Sequence, residues 1–396
     1  MTQPKTVSLA LSCAVALLVL SMNPANAFGQ TQPPKLASVP PMGWNTWYAF
    51  GCHISADVVR AQVDQMVANG MKAAGYRYVN LDDCWQGSRD AQGVIHPNSH
   101  FPDVKALADY VHAHTFLFGI YSSPGPKTCG GYEGSYRHEE QDARTYAGWG
   151  VDFLKYDWCS ATSVYRADQM EGAYLKMHQA MVAAGRPMIY SLCQYGMLGV
   201  WRWGPQVGAE LWRTTGDVSN KIDFQEYERM VFVGFGQAGL EPFAGPGRWN
   251  DPDMLQIGNH GLNLDEQKTQ MSLWCLLAAP LIVSTDLTKL SREELGILTN
   301  PEMIKVDQDP LGIEGHRVSQ EGPVQVWAKP ESGGEMAIGL FNSGESSMPV
   351  SVDFNAIGFS HAVHVRDLWA HKNLGTFEKT FSTTVHRHGV VIIGIR

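Results

Sequence analysis

The sequence predicts an α/β chain: a (β/α)8 barrel followed by a C-terminal antiparallel β-sandwich domain. Three observations carry this. Eight short apolar, β-rich runs alternate with helical patterns over about 270 residues, the size of such a barrel. Carboxylates gather at the C-terminal ends of those runs. After Asp307-Gln308-Asp309-Pro310-Leu311-Gly312 the helical patterns give way to short alternating segments broken by Gly, Ser, Asn and Pro.

The chain opens with Lys5, an uncharged, mostly apolar run from Val7 to Leu20, and Ala25-Asn26-Ala27. This is the pattern of a secretory signal peptide over 1–27, cut after Ala27, and the run is too short to span a membrane. No other run is long and apolar enough, so no membrane partner is expected after cleavage. Residues 28–40, with Pro33, Pro34 and Pro40, read as a linker or extended arm.

The barrel is expected over 41–312. Its strand candidates are Met42–Trp47, Tyr76–Asp83, Phe116–Ser123, Val151–Trp158, Met188–Gln194, Glu210–Asp217, Arg248–Leu255 and Leu281–Leu287, the seventh being the weakest. Between them, Ser55 caps a helix with Val59, Val63, Met66 and Val67 on one face, and Asp103 caps another. A third helix runs from His138 to Trp149 and ends at Gly150; His138-Glu139-Glu140 reads as its solvated first turn. An open doubly wound sheet is the competing arrangement, but no G-x-G-x-x-G follows an early strand. The β domain, 313–396, is expected to hold strands at Val324–Ala328, Glu335–Phe341, Pro349–Phe354, His364–Asp367 and Gly389–Ile395.

Composition narrows the function. Lys+Arg 30 against Asp+Glu 39 leaves a net charge of −9, which disfavours nucleic acid as a partner. Trp numbers 12, enough for a large core or for flat faces that suit a sugar ring. Seven Cys are present, of which Cys13 leaves with the signal. The remaining six allow 15 full connectivities. No C-x-x-C pair, H-E-x-x-H, P-loop or G-x-S-x-G elbow occurs, so metal readings are weak. Cys275, within Leu273-Trp274-Cys275-Leu276-Leu277, reads as a buried free thiol.

The strand-end acids are Asp82 and Asp83, Asp157, Asp217, Asp251 and Asp253, and Asp286. One of them is easily a helix cap; so many together point to a catalytic cluster at the mouth where barrel active sites form. Lys155 and Asp157 are two apart in a strand and share a face. The ammonium is expected to lower the Asp157 pKa and keep the carboxylate ionised, as a glycosidase nucleophile requires. A structural Lys–Asp pair is the plainer alternative. Asp217 shares strand parity with Arg213 and supplies the second carboxyl that glycoside hydrolysis needs, or caps the next helix. Asp251 and Asp253, around Pro252, read as supporting residues.

These residues sit in motifs. Met42-Gly43-Trp44-Asn45-Thr46-Trp47, Leu81-Asp82-Asp83-Cys84-Trp85, Lys127-Thr128-Cys129, Lys155-Tyr156-Asp157-Trp158-Cys159, Trp212-Arg213-Thr214-Thr215-Gly216-Asp217 and Trp249-Asn250-Asp251-Pro252-Asp253-Met254-Leu255 resemble glycoside hydrolase family 27, in the family's order. The resemblance runs from about Pro41 to the tail pattern Arg366-Asp367-Leu368-Trp369 and His388-Gly389-Val390-Val391. It implies a retaining α-galactosidase with the barrel and β domain above, and an α-galactoside as substrate. It implies no metal and no cofactor. It implies Asp157 as nucleophile and Asp217 as acid/base. It implies sugar contacts from Trp44, Asp82, Asp83, Tyr121, Lys155 and Arg213, and places Cys193 and Gln194 in the same pocket. Two disulfides carry over, Cys52–Cys84 and Cys129–Cys159. The sequence departs at Cys193-Gln194-Tyr195, where many members carry Cys-Glu-Trp. Gln194 and Met197 are too large to favour an N-acetylated sugar, and the intact Asp82-Asp83 pair disfavours a β-L-arabinopyranoside. The alternatives are a family-27 enzyme acting on one of those sugars or releasing isomaltose, or a secreted carbohydrate-binding protein without catalysis.

Overall fold

The computed structural model describes residues 1–2, 36–219 and 226–396. The expected signal peptide and its cleavage site, and the arm as far as residue 35, lie outside these.

Eight parallel strands form one curled sheet: β1 Met42–Asn45, β2 Tyr78–Asn80, β3 Leu117–Ser122, β4 Phe153–Asp157, β5 Ile189–Cys193, β6 Leu211–Arg213, β7 Trp249–Asp251 and β8 Leu281–Val283. Each neighbours the next and β8 pairs with β1. Only the seam between β7 and β8 lacks a strand ladder. There a single parallel bridge, Leu255 to Val283, completes the ring. The run expected as one strand, Arg248–Leu255, is interrupted because Pro252 has no amide hydrogen to give and Asp253 takes φ 89°. The other strands are likewise shorter than the apolar runs that encode them, since the runs continue into the following loops, which after β2, β6 and β8 carry an acid.

The helices start where their caps predict. Ser55 accepts the Val58 amide at the head of Ala56–Ala68, and Asp103 accepts the Ala106 amide at the head of Val104–Ala113. Glu139–Trp149 ends at Gly150, whose φ of 85° suits glycine. Its first turn is solvated only in part, in contrast to the expectation: Glu140 is exposed but its neighbours turn inward. Glu139 is buried and paired with Lys176 at 2.7 Å, and Asp142 is buried against Arg89 at 2.6 Å. Arg89 belongs to a hairpin, Gln86–Arg89 with Ile95–Pro97, that the alternation did not reveal. Leu36 and Ala37 are no free arm: they pack with Phe153, Ile189, Leu211 and Trp249 inside the barrel, and the Trp249 indole donates to Ala37 O at 2.8 Å.

The C-terminal region contains β9 His316–Glu321, β10 Val324–Pro330, β11 Met336–Asn342, β12 Met348–Asp353, β13 Val363–Asp367, β14 Lys372–Phe377, β15 Thr380–Val385 and β16 Val390–Ile395. Six of them form a sheet in the order β9-β10-β11-β16-β13-β14, and β12 pairs with β15 in a second sheet. All pairings are antiparallel. Strand β11 shows how the sequence builds this layer. Ile338 and Leu340 face Val350, Val352 and Phe381 of the small sheet, whereas Ala337 and Phe341 join the barrel's core. Both faces are buried, so the strand reads as a continuous apolar run. Lys329 on β10 is also buried at this junction, where its ammonium donates to the carbonyls of Cys275 and Val306 at 3.2 and 2.6 Å.

Candidate active site

The strand ends converge as the parity of their side chains requires. After β2, Asp82 is held on every side. Its Oδ2 accepts from Asn45 Nδ2 and from Lys155 Nζ, both at 2.8 Å, and its Oδ1 accepts the Asp83 amide at 2.9 Å. Asp83 turns towards the loop after β3, accepting the amides of Gly130 at 2.6 Å and Cys84 at 2.7 Å. Burial pushes its carboxyl above the ordinary range despite these donors.

On β4, Lys155 and Asp157 do share a face. Burial disfavours the Lys155 ammonium, but Asp82 and Asp157 outweigh it and leave its pKa well above the usual lysine value. The ammonium also lies 5.2 Å from the centroid of the Tyr121 ring. Each oxygen of Asp157 receives a phenol: Tyr195 donates to Oδ1 at 2.6 Å and Tyr121 to Oδ2 at 3.2 Å. The expected lowering of its pKa is not found. Burial pushes Asp157 up to about 6, against the pull of Lys155 and the Tyr195 bond, and the nearby carboxylates of Asp82 and Asp217 add to the rise. Desolvation in the barrel mouth wins over one ammonium.

Beyond β6, Asp217 stands 46% exposed with its Oδ1 3.1 Å from Arg213 Nη2. Val218 and Ser219, which follow Asp217, are not helical, so it caps no helix directly. Arg213 is closed to solvent and also pairs with Asp253 at 3.0 Å. Asp253 in turn accepts from the Tyr48 hydroxyl at 2.5 Å and the Val218 amide at 2.8 Å. Its own amide donates to Asp251 Oδ1 at 2.8 Å. Burial raises Asp253 and pushes Asp251 up to about 6. These two acids lie behind Arg213 rather than at the opening.

Trp44, Cys193 and Gln194 are as closed to solvent as Asp82, Asp83, Tyr121 and Arg213. Trp44 is fully buried and its indole donates to Thr285 O at 2.8 Å. Cys193 is buried, its Sγ 3.7 Å from Arg213 Nη1. Gln194 is buried with its Oε1 on the Gly196 amide at 3.0 Å. Asp286 leaves the cluster: it caps Leu287–Lys289 and binds Gln62. Cys52 is joined to Cys84 and Cys129 to Cys159, and Cys193 and Cys275 are free and buried. Among the described residues, one group of side chains is close enough to hold a metal, Cys129, Asp157 and Cys159, and its two sulfurs are bonded to each other. Sequence reasoning missed Tyr48 and Tyr195 as site residues. Tyr48 directly follows the Met-Gly-Trp-Asn-Thr-Trp motif, and Tyr195 was visible only as a departure from a pattern.

Residues 39–309 match the family described as alpha galactosidase A, and residues 321–395 match the alpha galactosidase C-terminal beta sandwich domain. The chain belongs to this family. It is 40% identical over 98% of its length, and 98% of the relative's, to alpha-galactosidase A of Cellvibrio japonicus. Its fold superposes on alpha-galactosidase I of Mortierella vinacea with a TM-score of 0.86 and 31% identity, covering 91% of this chain and 97% of the other. An alpha-galactosidase of Saccharomyces cerevisiae with raffinose gives a TM-score of 0.85 and 27% identity, covering 91% and 98%.

Proposed function

We propose that this protein is a retaining exo-α-galactosidase that removes terminal α-D-galactosyl residues. One observation carries the reading. The two carboxyl groups a retaining glycosidase needs come from the ends of β4 and β6 in one mouth, close enough for Asp217 to raise the Asp157 pKa, and their environments differ. Asp157 is enclosed by a cation and two phenols, and Asp217 is open to the solvent.

In the first step Asp157 attacks the anomeric carbon while Asp217 protonates the departing oxygen. In the second, Asp217 takes a proton from water, the water opens the glycosyl ester, and the α-anomer returns. Lys155 and Asp82 act as a donor and an acceptor for neighbouring sugar hydroxyls, and their mutual bond at 2.8 Å keeps both in place before substrate arrives. Arg213 holds Asp217 while Asp253 balances its charge from behind.

Two further points belong to the same proposal. The sugar is galactose rather than its N-acetyl form, a reading supported by the size of Gln194 and Met197 in the stretch where an acetamide would need small residues. The protein is exported, a reading supported by the signal-peptide pattern and by two disulfides, which persist in oxidising compartments.

The test is hydrolysis of p-nitrophenyl α-D-galactopyranoside by the wild type and by Asp157→Ala. The N-acetylgalactosaminide and the β-L-arabinopyranoside are run alongside. Turnover of the galactoside, lost in the variant, is the expected result. Turnover of another sugar alone overturns the substrate, and activity that survives Asp157→Ala overturns the nucleophile.

A further inference from the structure

The loop after β5 has an unusual backbone. Tyr195, Gly196, Leu198 and Gly199 take φ values of 64°, 80°, 57° and 63°, so two residues with side chains sit in the left-handed region beside two glycines. The loop is clamped there. The Gly196 amide donates both to Gln194 Oε1 at 3.0 Å and to Arg213 O at 3.1 Å. A Cβ at Gly196 would fall 2.1 Å from Thr214 O. Such conformations persist where the surroundings over-determine them, and they gather at working sites. What this one delivers is the Tyr195 hydroxyl, set 2.6 Å from Asp157 Oδ1.

We propose that Tyr195 is a positioning residue that fixes which oxygen of Asp157 forms the glycosyl ester and stabilises that carboxylate when it leaves. This rests on the reading of Asp157 as the nucleophile. The shorter bond holds Oδ1, so the Tyr121-facing oxygen, Oδ2 at 3.2 Å, is the one that attacks. In the first step the bond from Oδ2 to the anomeric carbon forms, the bond to the aglycone oxygen breaks, and that oxygen takes the proton of Asp217. Oδ1 is then the ester carbonyl, still accepting from Tyr195. In the second step the water oxygen bonds to the anomeric carbon, its proton passes to Asp217, and the electron pair of the C1–Oδ2 bond returns to the carboxylate. Tyr195 keeps its proton throughout and donates most strongly when Asp157 is charged, as in the free enzyme and in the second departure. The other groups bearing on Asp157 are Lys155, Asp82, Asp217, Tyr121, Tyr174, Cys193 and the disulfide sulfur of Cys159, which lies 3.5 Å from Oδ1 with no proton to give, and none of these comes from the strained loop.

The experiment compares the wild type with Tyr195→Phe on an aryl α-galactoside with a good leaving group. Three results are expected. Loss of the donor moves the acid limb of kcat/KM up by about one unit. It lowers kcat about tenfold to a hundredfold. KM falls with kcat and a burst of phenol appears, because the ester now accumulates. Loss of structure alone would give neither the burst nor the shifted limb. If Tyr195→Phe fails to fold, difluorotyrosine incorporated at 195 strengthens the donor with the ring retained, and the acid limb then moves down. An unshifted limb with unchanged kcat in a folded variant overturns the proposal. Wild-type enzyme inactive on the galactoside overturns the functional reading instead, so the two failures are distinct.

Discussion

Asp253 lies beneath Arg213, its Oδ2 3.0 Å from the guanidinium Nη2, and both are closed to solvent. The same Asp253 oxygen accepts from Tyr48 and from the Val218 amide just past Asp217. One carboxylate therefore ties β7, the β1 loop and the acid/base loop to a single cation. Breaking a buried pair by deleting one partner leaves the other charge unanswered, at a cost of about 3–5 kcal/mol. Asp253→Ala is expected to lose this much stability and most activity, whereas Asp253→Asn keeps part of the network. Denaturant midpoints would settle it, and an alanine variant as stable as the wild type would contradict this account.

Lys155 is the second electrostatic pivot. Lys155→Met leaves Asp82 buried with Asn45 as its remaining side-chain donor and removes the cation that opposes the rise in Asp157. A loss of about a hundredfold or more in kcat/KM is expected, with an acid limb displaced to higher pH. Lys155→Arg should recover little, because a planar fork cannot replace a point donor seated on the Tyr121 ring. Recovery to near wild-type rates by arginine would argue that only the charge matters.

Activity should fall on the acid side near pH 6, where Asp157 takes up its proton. Stability should follow pH with a definite sign. Asp157 and Asp251 are raised to about 6, and Asp307 and Glu314 to about 8, all by burial. Between about pH 4 and 8 the folded chain keeps protons that the unfolded chain has released, since free carboxyls titrate near 4. Their contribution is fully present at the acid end and is lost as pH rises through these values. Melting temperature is expected to drop from pH 5 to pH 8, and Asp307→Asn with Glu314→Gln should flatten the drop by the equivalent of several kcal/mol. Equal slopes in the two proteins would refute it.

Cys129–Cys159 closes a loop with a sequence separation of 30 and anchors the chain just beyond Asp157. Chain-entropy reasoning puts the stabilisation at about 3–4 kcal/mol. A Cys129→Ser, Cys159→Ser double variant is expected to melt earlier by that amount and to lose activity before it unfolds. Parallel urea titrations followed by activity and by fluorescence would show whether the two losses separate.

Much of the barrel was readable because its strands are written as apolar runs, five of which carry an acid towards the C-terminal end. Lys155 and Asp157 share a face by parity alone, and Ser55, Asp103 and Gly150 mark helix ends through local chemistry. What escaped was set by tertiary context. Strands β9 and β14 are mostly exposed on both faces and β15 carries Thr and Ser, so no apolar alternation announces them. Glu139 looks like a solvated helix start until Lys176 of the following helix covers it. Asp286 has the same position relative to its strand as the site acids, but its side chain turns to Gln62 and its own 3-10 turn. The Asp157 pKa was expected from its neighbour in sequence, whereas enclosure by the barrel mouth decides it. Tyr195 was missed because a left-handed backbone, invisible in sequence, aims it.

The ring of strands has one weak stave. Between β7 and β8 the barrel is sealed through Leu255, whose amide donates to Ile282 O at 2.8 Å and whose carbonyl accepts from Ser284 at 3.2 Å. Every other seam is a ladder. Thermal breathing should part the wall here first, and deuterium should reach the amides of Leu255 and Ser284 ahead of those in β4 and β5. Asp251 and Asp253 hang on the loose edge and Asp157 on the opposite, stiff one. A barrel built this way keeps its nucleophile on a rigid wall and carries the support for its acid/base on a sprung one.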